Sequence, residues 1–218
     1  MLMDTRKRYL YSAKRDLCFF QAIAIETARM SYPGSFSGRL LKSRAKDAIV
    51  HHFKNNFPEK LKRIWDGTIC RKQYDRWHKE RVNTLSRVVG RYKRKKKDTS
   101  FAISAKLLNT FMHQLMKYEK FRHLYKQLHL PLDKQVFVAL RRLAKDENYR
   151  KQLVCLKNLV NENPYRIDTK GYGKIQQKLW EVVGVYNKGL PKGCKLRSRI
   201  DLNCLLWSRR EQREVDDV

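Results

Sequence analysis

The chain carries 50 Lys and Arg against 21 Asp and Glu over 218 residues, a formal net charge of +29 that exceeds what solubility requires and points to a polyanionic partner. Hydrophobic residues make up 42%, with 11 Tyr, 9 Phe and 4 Trp, which is enough to bury a core and excludes the disordered class. Charge by itself weighs equally for a structural RNA-binding protein and for a DNA enzyme.

In chain order, Asp16 to Met30 places Phe19, Ile23, Ile25 and Ala28 near helical spacing and stops at Pro33 and Gly34. A second amphipathic stretch, Gly38 to about Phe57, carries Leu40, Leu41, Ala48, Ile49 and Phe53 and ends before Pro58. From Glu59 to Val89 apolar residues recur at three- and four-residue steps broken by Gly67, which predicts two shorter helices. In Gly90 to Ser100, seven of the eight residues from Arg91 to Asp98 are basic or aromatic, and Gly90 can take a positive φ. A loop or hairpin is expected there. Phe101 to Leu128 reads as helix, interrupted by the turn at Pro131, and Gln135 to Leu159 reads as helix again. Asn161 to Gly173 clusters Asn, Pro and Gly and predicts a loop. A last helical pair, Lys174 to Tyr186 and about Ile200 to Gln212, precedes a polar tail at 209–218. No alternating run predicts a strand, so the expected fold class is all-α.

Several chemistries recede on motif grounds. The five cysteines form no CxxC pair, and His51, His52, His78, His113, His123 and His129 lack the i, i+4 pairing of a zinc hydrolase, so neither metal nor cofactor is expected. No apolar run approaches the roughly 20 residues of a membrane span, and no signal-peptide core follows the basic start. A cytoplasmic monomer without membrane contact is the expectation. Asp133 follows Leu-Pro-Leu and opens an apolar helix, where an isolated Asp is most often an N-cap. The basic run is either a solvated charge tract or a device that aims lysines and backbone amides at phosphates.

Four blocks in order carry a family resemblance. Leu85-Ser-Arg-Val-Val-Gly90, a basic run and then Ala105-Lys-Leu-Leu-Asn109 are similar to the hairpin and following helix of archaeal 8-oxoguanine DNA glycosylases. Pro131-Leu-Asp133 resembles that family's Pro-Val-Asp, and Gln177-Lys-Leu-Trp-Glu-Val-Val183 its Gln-Lys-Ile-Trp helix. Asn203-Cys-Leu-Leu-Trp207 resembles its closing Asp-x-Leu-Leu-Trp. The match spans about Leu85 to Ser208 with an expanded loop after Asp133, leaving residues 1–84 as an N-terminal helical lobe that does not align.

The resemblance implies a helix-hairpin-helix glycosylase of two closely packed helical lobes that acts on double-stranded DNA containing a modified base. Gly90, Arg91, Lys93, Arg94, Lys95 and Lys96 would bind DNA, with Pro131, Asn203 and Trp207 around the flipped base. Asp133 would be the catalytic carboxylate, stabilising the developing oxocarbenium ion or activating the nucleophile. The family's Schiff-base lysine falls on Lys97 or Lys96 when counted from Gly90, and on Thr99 when counted from Asn109. A threonine there implies a monofunctional enzyme with water as nucleophile. Asn203 stands where the family has an aspartate, which changes the base edge that can be satisfied. The implied substrate is therefore an oxidised purine or a bulky hydroxymethylated or glucosylated cytosine of phage DNA, the latter making an antiviral enzyme. The competing class is a non-enzymatic basic DNA- or RNA-binding protein.

Overall fold

A computed structural model of the chain describes residues 41–42, 44–56, 64, 69–116, 119–191 and 195–202. The stretch Asp16 to Met30, most of the Glu59 to Val89 segment before Ile69, and the Asn203 to Trp207 block lie outside them. Among the described residues the chain is helical, and the one β-bridge pairs Leu41 with Lys93.

Helix α1 (Ala45–Asn56) presents Ala45, Ile49 and Phe53, spaced to share one face, to the interior. Phe53 stacks on Phe111 with ring centroids 4.3 Å apart. Helix α2 (Arg71–Gly90) buries Tyr74, Trp77, Val82, Leu85 and Val89, and helix α3 (Ser100–Leu115) buries Ile103, Leu107, Leu108, Phe111 and Leu115. These two helices run antiparallel: His78 meets Asn109 toward their far ends, while Gly90 and Ser100 adjoin at the loop. The helix, basic turn and helix read from the sequence are thus in place.

Helix α3 starts where it does because Thr99 caps it. The Thr99 hydroxyl accepts from Ala102 N at 3.1 Å and donates to Ile167 O at 2.9 Å, so one side chain closes a helix end and ties it to a distant segment. Thr99→Ala is expected to cost about 1–2 kcal/mol, from the cap plus an orphaned carbonyl. Thermal melting should show a fall of a few degrees, and Thr99→Ser should restore most of it.

Three helix boundaries expected from the sequence need correction. The periodic stretch from Phe101 does not continue as α-helix to Leu128. It ends at Leu115 and resumes as a 3₁₀ stretch at Glu119–Gln127. The three-residue spacing of Phe121 and Leu124 suits a three-residue turn, and both are fully buried. The predicted loop to Gly173 is likewise too long, because helix α7 (Thr169–Tyr186) begins inside it. Asp168 Oδ1 accepts from Gly171 N at 2.7 Å, and that cap outweighs the two glycines of the first turns.

The third concerns the stretch between them, where Gln135 to Leu159 forms not one helix but three short ones: α4 (Lys134–Leu143), α5 (Glu147–Leu153) and α6 (Lys157–Asn161). Asp146 forces the first break by capping α5 through Asn148 N. Buried apolar side chains from Leu41 to Leu202 form one continuous cluster.

Candidate active site

Asp133 sits at the end of the segment 128–133, where it meets α4. Its backbone is extended, and Oδ1 accepts from Val136 N at 3.0 Å, so the N-cap reading is correct. The second oxygen is turned elsewhere. Oδ2 lies 3.4 Å from Lys106 Nζ, which reaches over from the middle of α3. The two side chains, Lys106 and Asp133, are only 18% and 17% exposed. Burial lowers the Lys106 pKa from its usual value, and the Asp133 charge and hydrogen bond act in the opposite sense. A largely buried amine and carboxylate are thus held together where two helices meet.

The segment that carries Asp133 is fixed by side chains rather than by a neighbouring strand. Gln176 of α7 pairs with Leu130 in both directions, accepting from its N at 3.1 Å and donating to its O at 2.7 Å. Arg199, 1% exposed, donates to Leu128 O at 3.2 Å and Gln127 O at 2.6 Å. His129 is bound at both ring nitrogens: Nδ1 accepts from Tyr172 OH at 3.1 Å, and Nε2 donates to Asp75 at 2.7 Å. The network continues through Asn109, which donates to Tyr172 OH at 2.8 Å and accepts from His78 Nε2 at 2.7 Å. His78 and His129 are both buried and held well below the usual histidine pKa, chiefly by desolvation. Each is neutral, which matches the tautomers these partners require. Pro131 lies within this segment, half-buried between the buried Leu130 and Leu132.

The basic loop divides into an anchoring part and an exposed part. Lys93 pairs with Leu41 through its backbone, and its ammonium donates to Lys96 O and Asp98 O, each at 3.1 Å. Arg94 Nε donates to Leu41 O at 2.7 Å. These two cations therefore shape the loop. Arg91, Lys95, Lys96 and Lys97 are exposed, and their side chains have no hydrogen bond or ion pair among the described residues. Gly90 is the last residue of α2, in ordinary right-handed conformation, so the positive φ open to a glycine is not used. A Cβ there would touch only Ser100, at 3.8 Å.

The structure therefore unites Asp133 with Lys106, a residue that had no assigned role within Ala105-Lys-Leu-Leu-Asn109. Lys97 lies on the exposed loop and Thr99 at the helix cap, while Asn203 and Trp207 lie outside the described residues. Trp180, from the third block, is flanked by the guanidinium groups of Arg71 and Arg199, 5.6 and 5.9 Å from its ring centre. Lys106 had one sequence signal, a cation within an otherwise apolar helical stretch; Gln176, His129 and Arg199 had none that was local. No helix among the described residues is long and apolar enough to cross a membrane, and none of their His, Cys, Asp and Glu cluster as a metal site.

In comparisons with known proteins, no family model matches the chain, and no curated protein or solved structure matches it.

Proposed function

We propose that this chain is a DNA glycosylase of helix-hairpin-helix type that flips a modified base from duplex DNA and hydrolyses its N-glycosidic bond. The observation that supports it best is the Asp133–Lys106 pair at 3.4 Å, partly shielded from water, in a chain whose α3 also follows an exposed cationic loop. A carboxylate in such a setting can stabilise positive charge building at C1′ and orient the attacking water. Lys95, Lys96 and Arg91 supply phosphate contacts that hold the duplex without reading its sequence.

Release by water is favoured over a lysine-linked intermediate. Thr99 fills one candidate lysine position and commits its hydroxyl to the helix cap, while Lys96 and Lys97, the other candidates, are exposed on the loop. The Lys106 amine faces the carboxylate. The proposed substrate is an oxidised purine or a bulky modified cytosine, since Asn203 offers an amide where the resembled family has an acid.

Labelled duplexes bearing 8-oxoguanine, uracil, alkylated purines or phage-type modified cytosine test this directly. Strand breaks should appear only after heating with alkali, and borohydride should trap no protein–DNA adduct. Breaks before alkali, with a trapped adduct, would contradict hydrolytic release and implicate a lysine. Tight DNA binding without abasic sites on any substrate would leave a non-enzymatic binding protein.

A further inference from the structure

Away from the Asp133 end of α4, its far end opens on a cleft of about 480 Å³ shared with α5 and α6. Its lining combines apolar Ala144, Val154 and Val160 with cationic Arg141, Lys145, Arg150 and Lys157, and contains no acidic residue. Val154 is 56% exposed, a large hydrophobic side chain left facing solvent. Arg141 is pinned by a 2.7 Å bond from Nη1 to Val160 O. None of the four cations is paired with a carboxylate among the described residues. The nearby Asp146 is turned to the cap of α5, where it accepts from Asn148 N.

Apolar side chains beside cations that lack a carboxylate partner suit a sugar–phosphate strand, with deoxyribose against the valines and phosphate oxygens at the cations. From the N-cap at Asp133 to the C-cap at Ala144, α4 spans about 16 Å at 1.5 Å per residue, equal to about five steps of duplex DNA. We infer that this cleft is a second phosphate-binding subsite, which grips the backbone of the substrate duplex about five base pairs from the base at Asp133. The inference rests on the DNA reading above and assigns a role to the short helices that follow Asp133.

The test compares the wild type, the cleft variant Lys145→Gln/Lys157→Gln and the loop variant Lys95→Gln/Lys96→Gln. All four lysines are exposed, so folding should not change. Affinity for a duplex of about 30 base pairs with a central modified base is measured against salt concentration. The cleft variant should flatten the slope of log K against log salt by about 1 to 2, at about 0.9 per phosphate contact. Trimming both flanks below about five base pairs should erase its difference from wild type. Should the wild type and loop variant show salt-dependent binding while the cleft variant keeps the full wild-type slope, this inference alone fails. Micromolar capture of a nucleoside monophosphate by the cleft, with an unchanged duplex slope, would also overturn it. If the wild type binds no duplex, the glycosylase reading fails as well.

Discussion

Asp133→Asn is expected to reduce base release by roughly 10²–10⁴-fold, the range of a positioned acid–base group, while duplex affinity and its salt dependence stay near wild type. The substitution preserves the helix cap at this point, while leaving the largely buried Lys106 ammonium without its carboxylate. Asn is as good an N-cap as Asp, so the bond to Val136 N survives and α4 keeps its start. What disappears is the negative charge beside Lys106. Loss of that partner is expected to lower the melting temperature by a few degrees, so a large loss of release in protein still folded at the assay temperature separates chemistry from folding. A D133N protein that releases base at the wild-type rate would remove Asp133 from the mechanism.

The second large effect concerns pH. His52, His78 and His129 are buried, and desolvation is the leading cause lowering each pKa, His52 to about 4 and the other two well below the ordinary 6.5. Below about pH 6.5 the unfolded chain takes up protons that the folded chain refuses. The stability these groups contribute is therefore fully present above about pH 6.5 and is lost as pH falls toward their folded values. Three such groups give a limiting slope of about 4 kcal/mol per pH unit. Set against a typical total stability of about 5–15 kcal/mol, a slope of that size predicts acid unfolding between about pH 5 and pH 3. Melting temperatures between about pH 7.5 and 5 should drop steeply, and His52→Gln should remove about a third of the slope. A melting temperature that is flat over this range would contradict the neutral, buried state of these histidines. Because His129 lies in the same segment as Asp133, activity should vanish with the fold at acidic pH rather than show a separate limb.

The residues that are legible in the sequence are those whose signals are local. The apolar spacing of α2, the basic turn after it and the Asp133 cap each depend on neighbours a few positions away, and each is where the sequence places it. The misread boundaries are also local, and they arise where two signals compete. Phe121 and Leu124 fit a 3₁₀ turn as well as an α-helix, and the Asp168 cap competes with Gly171 and Gly173. The pairings that build the site are of another kind. Lys106 and Asp133 are 27 positions apart, Leu130 and Gln176 are 46, and Asp75 and Arg199 are 124. The polar members of these pairs have sequence contexts that read as solvent-facing or merely helical. Each acquires a role only when packing brings its partner within reach and removes water from the contact. His78 and His129 show this most plainly: scattered in the chain, they lie with ring centres 4.0 Å apart and help hold the segment that ends in Asp133.

A modified base should leave otherwise intact DNA, and mass spectrometry of the small-molecule fraction after incubation with modified duplexes or phage-type modified DNA reads this directly. The predicted result is a free modified base, formed in step with alkali-labile sites and lost in Asp133→Asn. Duplexes returned unchanged across the whole panel by folded, DNA-binding protein would contradict it.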